Sequence, residues 1–268
     1  MKKNVIEYAE AYIKEHISEF HESKIEKLKN MKLDTVLKRK NPYMFKAKSL
    51  DNADGLVKGL MDAVCSSSEE TLFGDWIERL AIYIAGEMFG GRKSTTKGVD
   101  LEMDKNNIHY IISIKSGPNW SNSSSMDSQK KKFKEAQRVY RTGGNTKECK
   151  AIIGCCYGKT YSPYDDPMKM CGQSFWEFIS GSSTLYLDII EPLGTDAKAK
   201  NEAYQKAFNQ LKNKLSNEFM TKYCRKDGSI DWEKFVRFNS EKRPDVNKSS
   251  VHNSNRGGTR KGRKTAKA

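Results

Sequence analysis

The stretch GVDLEMDKNNIHYIISIKSGPNW, residues 98–120, constrains the fold more than any other part of the chain. Two strand-like runs flank Asn106-Asn107. Both central positions of a type I′ turn need positive φ, which Asn tolerates better than most residues. With these two residues as the loop, Lys105 pairs with Ile108 and Leu101 with Ile112, so Asp100 falls opposite Ser113. Side chains two apart share a face, which sets Lys115 diagonal to Asp100 and brings Glu102 onto the same face. Tyr110, Ile112 and Ile114 point the other way, toward an expected helix layer. Gly117-Pro118 then takes the chain out of the sheet and leaves the lysine at an open edge that a substrate can reach. A strand-end ion pair is the ordinary reading of such a juxtaposition; the break directly after Lys115 favours a site.

The remaining chain supplies helices and a few strands. Apolar residues recur at helical spacing over about residues 4–30. The segment LKRKNPYMFKAK (37–48) interrupts that pattern at Asn41-Pro42 and reads as a loop whose basic and aromatic residues suit a phosphate backbone, or as a solvated connector. A short helix is expected at 53–65. A second follows, with Ser66–Ser68 as its N-cap, Glu70 serving its N-terminus and Gly90-Gly91 closing it. After the hairpin come a helix at 126–141, a strand at 151–158, a loop with Pro163 and Pro167, a helix at 172–181, a strand at 184–192 and a long helix at 195–223. This order predicts an α/β protein with a mixed central sheet flanked by helices. The expected organisation is an N-terminal helical region (1–66), a core with C-terminal helices (67–240) and a disordered basic tail (241–268).

Charge narrows the partners. The chain of 268 residues carries a formal net charge of +14, which makes a polyanion the first partner to consider. The tail holds nine Lys/Arg against two Asp/Glu, with too little apolar surface to offset its ordering entropy. No run reaches the roughly 18 apolar residues of a membrane span, and the N-terminus carries acids through its apolar positions, so a cytoplasmic protein is expected. Six cysteines show no C-x-x-C spacing, and Cys155-Cys156 on a strand point to opposite faces, so neither disulfides nor a zinc site is expected. The four histidines form no H-E-x-x-H, and there is neither a P-loop nor a G-x-S-x-G motif.

Asp100, a spacer, then Ser113-Ile114-Lys115 ending an apolar strand resembles the core of the PD-(D/E)xK nucleases, and the wider pattern resembles a type II restriction endonuclease. LKRKNPYMFKAK, ETLFGDWIERLA, GVDLEMD with SIKSGPNW, IIGCCYGK and GQSFWEFISG, taken in order, are similar to a PmeII-like subgroup, with FNS at 238–240 as a further match. The resemblance implies a restriction-endonuclease-like fold, Mg²⁺-dependent cleavage of double-stranded DNA leaving 5′-phosphate ends, a homodimer, and a cognate DNA methyltransferase as genetic partner. It assigns Asp100 to the metal and Lys115 to the attacking water and the phosphate. Two positions depart from the pattern: Val99 replaces the proline, and Ser113 stands where a carboxylate is expected. A serine does not replace a carboxylate on Mg²⁺, so another acid must serve. Glu78, at the boundary of the apolar stripe in LFGDWIERLA, is the preferred substitute; Glu102 is second, with Asp127 and Glu135 behind. Base-reading side chains are expected in the polar segments 119–132 and 159–169. Two alternatives stand beside this reading: a structure-specific repair nuclease on the same core, and a non-catalytic DNA-binding protein in which Ser113 marks a lost metal site.

Overall fold

The computed structural model describes residues 4–195 and 197–242; most of the expected basic tail lies outside the described residues. The chain opens with α1 (Val5–Lys29), capped by Asn4, whose side chain accepts from the Glu7 N–H. Two short helices follow, α2 (Leu33–Lys38) and α3 (Pro42–Ala47). The segment expected as a loop is therefore largely helical. Asn41 caps α3, Pro42 needs no hydrogen-bond acceptor in a first turn, and burial of Pro42 and Phe45 holds the helix down.

The two helices expected at 53–65 and beyond Ser68 are one, α4 (Ala53–Phe89). Ser67 Oγ donates to the Ala63 carbonyl and Thr71 Oγ1 to the Ser67 carbonyl, so these hydroxyls bond back along the helix instead of capping a new one. Glu70 is consequently mid-helix. The helix ends at Gly90, whose φ of +67° supplies the left-handed turn.

The sheet has six strands in the order β1-β2-β3-β4-β6-β5: β1 (Arg92–Lys93), β2 (Leu101–Lys105), β3 (Ile108–Lys115), β4 (Glu148–Cys155), β5 (Tyr161–Ser162) and β6 (Met168–Cys171). Strands β3, β4 and β6 run parallel, while β1, β2 and β5 are antiparallel to their neighbours, which gives the expected mixed α/β architecture. The hairpin register is as derived, with Lys105 opposite Ile108 and Leu101 opposite Ile112, and Asn106 and Asn107 have φ of 53° and 63°. Strands β5 and β6 fall inside the segment expected as a loop.

Helices cover both faces of the sheet. Leu101, Tyr110, Ile112 and Ile114 pack against α1, the C-terminal half of α4, and α6 (Gln173–Ser180). Ile111, Cys149 and Ile153 pack against Phe133 and Ala136 of α5 (Ser123–Thr142). Cys155 and Cys156 belong to these opposite layers, and burial raises both thiols above the ordinary value, which keeps them neutral.

Residues 184–192, expected as a strand, form the short helices α7 (Leu185–Asp188) and α8 (Ile190–Gly194). Buried Leu185 and Ile189 are four residues apart while Leu187 and Ile190 are exposed, a helical and not an alternating pattern. A second hydrophobic core forms from α2, α3, the N-terminal half of α4, α9 (Ala197–Tyr223) and α10 (Trp232–Ser240). Thus α4 runs through residue 66 and joins both cores.

The Asn-Asn turn sets the register, so a β-branched residue at position 107 is expected to be costly. Asn107→Val should lower unfolding stability by about 1–2 kcal/mol in urea titration, whereas Asn107→Gly should not lower it. Equal stability of Asn107→Val and wild type would contradict the turn assignment.

Candidate active site

The site lies where β2 begins and β3 ends. The Asp100 N–H donates to the Ile112 carbonyl at 2.8 Å, extending the hairpin ladder one residue past β2. Asp100 Oδ2 accepts the Ile114 N–H at 2.7 Å and the Ser113 hydroxyl at 3.1 Å, and lies 3.5 Å from Lys115 Nζ. Among the described residues every hydrogen bond to the Asp100 side chain falls on Oδ2, so Oδ1 keeps its lone pairs. The Lys115 ammonium also donates to the Ile114 carbonyl at 2.9 Å and stands 5.6 Å from the centre of the Trp120 ring. The side chains of Lys115 and Asp100 are 26% and 23% exposed, sheltered yet within reach of a ligand.

Glu78 joins them from the helix layer on the other side of the sheet. It is half-buried on α4, and its carboxyl is raised above the ordinary value of 4.5, first by burial and then by the negative charge of Asp100; Lys93 and Lys115 oppose the shift. Among the described residues Glu78 accepts no side-chain hydrogen bond and has no cation within 4.0 Å. Gly74, one turn earlier, faces Ser116 and lets α4 approach the end of β3.

Two of the other acids are engaged elsewhere and one is solvent-exposed. Glu102 accepts the Ser94 hydroxyl at 2.6 Å and pairs at 3.0 Å with Arg92, its cross-strand partner. Asp127 is exposed on α5, and Glu135 pairs with Arg138 on the same helix. Ser113 is buried with its hydroxyl committed to Asp100, so it orients that carboxylate. Among the described residues no three His, Cys, Asp or Glu side chains gather as a metal cluster. The oxygens that could hold a hard divalent cation are those of Asp100 and Glu78, a set Mg²⁺ accepts when water fills the remaining positions.

Some features escaped the reading of the sequence. Lys93 reaches the surroundings of Glu78 because the two-residue strand β1 pairs it with Leu101, and so short a strand has no periodicity to detect. Trp120 under Lys115 could have been found, since an aromatic directly after a strand-ending Gly-Pro break has few places to go. Tyr157 packs so closely on Gly117 that a Cβ there would collide with its ring. The helix expected at 126–141 begins three residues earlier, at Ser123, so most of the polar segment 119–132 is helical.

The model of the type II restriction endonuclease EcoO109I family matches residues 7–201. The chain belongs to this family. The match runs from α1 into the start of α9 and includes Glu78, Asp100, Ser113 and Lys115. Comparison with curated proteins gives no match. A restriction-endonuclease family fits the mixed sheet flanked by helices, and among the described residues no helix is long and apolar enough to cross a membrane.

The raised Glu78 carboxyl has a measurable consequence in metal-free protein. A group whose folded value exceeds its unfolded value contributes stability that is complete below the unfolded value and lost as pH rises through the folded one. Glu78→Gln removes that loss. Thermal melting in EDTA should therefore show the variant more stable than wild type at pH 7.5, with the difference shrinking toward zero below pH 4; a variant less stable at pH 7.5 would contradict the unpaired carboxylate.

Proposed function

We propose that the protein is a Mg²⁺-dependent type II restriction endonuclease with a PD-(D/E)xK core of the PmeII-like kind. It hydrolyses phosphodiester bonds in both strands of double-stranded DNA at a specific sequence, acts as a homodimer, leaves 5′-phosphate and 3′-hydroxyl ends, and has a cognate DNA methyltransferase as genetic partner. Family membership supports DNA cleavage. The observation that carries the active-site reading is Glu78, an unpaired, half-buried carboxylate beside Asp100 and Lys115 at the open end of β3.

Hydrolysis requires a water in line with the leaving 3′-oxygen, compensation for charge building on the phosphate, and a proton for that oxygen. Asp100 and Glu78 would hold a divalent cation, which supplies charge neutralisation and a more acidic water. Ser113 and the Ile114 N–H fix Asp100 Oδ2, leaving Oδ1 directed by the same two bonds. The Lys115 ammonium, parked on the Ile114 carbonyl and flanked by Trp120, is placed to move onto a non-bridging phosphate oxygen and to orient the attacking water. The water gives up a proton to solvent as its oxygen bonds to phosphorus, the bond to the 3′-oxygen breaks, and that oxygen takes a proton from solvent.

Lys115→Ala should lower single-turnover cleavage of phage DNA by at least about a hundredfold while leaving DNA affinity in EDTA within a few-fold of wild type. Sequenced fragment ends from the wild-type digest should show one recurring site. Full activity of Lys115→Ala would overturn the assignment. DNA binding without cleavage at any Mg²⁺ concentration would return the protein to the non-catalytic reading.

A further inference from the structure

The middle of α4 is only partly covered. Its buried residues run from Ala53 to Cys65 in the second core and resume at Trp76 against the sheet, and no residue between Cys65 and Trp76 is buried. A helix that changes its buried face between two cores leaves a cleft beside its midpoint. One cavity there, of about 480 Å³, is walled on the α4 side by Ser67, Ser68 and Thr71 and on the other by Lys27 of α1 with Arg39 and Lys40 of the α2–α3 link. It meets a second cavity at Leu72 and Asp75, and that second cavity holds Glu78 and Lys93. The cleft therefore runs from the three cations to the candidate active site.

Some of the surface cations are already paired with acids. Lys24, Lys58, Arg79 and Lys212 each lie within 4.0 Å of a carboxylate. Among the described residues Lys27, Arg39 and Lys40 have no such partner, although Asp75 lies in the same cavity. Three unpaired cations from two elements facing one groove form a positive concavity, where field lines concentrate and an anion is held. Along α4, ten residues separate Ser68 from Glu78, about 15 Å at 1.5 Å per residue. At 3.4 Å per nucleotide along a strand, that span is roughly four nucleotides.

We propose that this groove is a non-catalytic site for the DNA backbone: Lys27, Arg39 and Lys40 hold phosphates roughly four nucleotides from the scissile bond. The inference rests on the nuclease reading of the site at Glu78, but its test does not. Each phosphate neutralised releases condensed counterions, so each cation in contact steepens the fall of affinity with salt by about 0.9 in a log–log plot.

The test uses the full chain in EDTA and a fluorescent 30-base-pair duplex, with anisotropy titrations between 50 and 200 mM NaCl. Arg39→Ala/Lys40→Ala should reduce the slope by about 2 and weaken binding at every salt concentration. The charge-preserving pair Arg39→Lys/Lys40→Arg should keep the wild-type slope, and Lys14→Ala/Lys206→Ala, which removes two exposed cations outside the groove, should change it little. Circular dichroism melting checks that each variant is folded. The basic C-terminal segment is common to all variants and drops out of the comparison. A wild-type slope for the groove variant, or an equal loss in the Lys14/Lys206 control, overturns the proposal whether or not the wild type cleaves; absence of wild-type cleavage counts against the nuclease reading alone.

Discussion

The hydrogen bonds onto Asp100 Oδ2 hold the candidate site together. One carboxylate oxygen accepts from the Ile114 backbone and the Ser113 hydroxyl and lies within ion-pair distance of Lys115. Three consecutive residues of β3 are thereby tied to the first residue before β2. The arrangement depends on register: a slip of one residue would turn Ser113 and Lys115 to the opposite face and bring Ile112 and Ile114 to Asp100. Two asparagines with positive φ, at the far end of the hairpin, fix that register.

The second constraint is α4, which anchors one half in each core. Its C-terminal half lies against β1, β2 and β3 through Trp76, Leu80 and Ile84, and this contact brings Glu78 to the strand ends. A carboxylate delivered by a helix can stand in for one missing from the strand, because a divalent cation responds to the oxygens around it and not to the element that carries them. The same helix leaves its middle turns open, and the basic cleft lies there.

Much of this was legible in the sequence, and the exceptions share a cause. The hairpin, Asp100, Lys115 and the α6 helix follow from local chemistry: turn residues, alternation, and a glycine after an apolar stripe. The continuity of α4 was not legible, because Ser66–Ser68 carry a local capping signal that two distant cores override. Residues 184–192 were misread because Leu185, Leu187, Ile189 and Ile190 satisfy an alternating template, and only their burial reveals the helical spacing. Strands β1, β5 and β6 were too short for periodicity to show. At the site, the sequence offered both Glu78 and Glu102. Only the tertiary structure reveals that Arg92 and Ser94 engage Glu102 while Glu78 has no partner among the described residues.

In the proposed site Glu78 supplies the carboxylate absent at Ser113. Single-turnover cleavage by Glu78→Gln and Glu102→Gln, each across a Mg²⁺ titration, tests it most directly. Glu78→Gln should lose at least about a hundredfold in rate, while Glu102→Gln should stay within about tenfold of wild type. A Glu78→Gln protein that cleaves normally, with Glu102→Gln inactive, would contradict it.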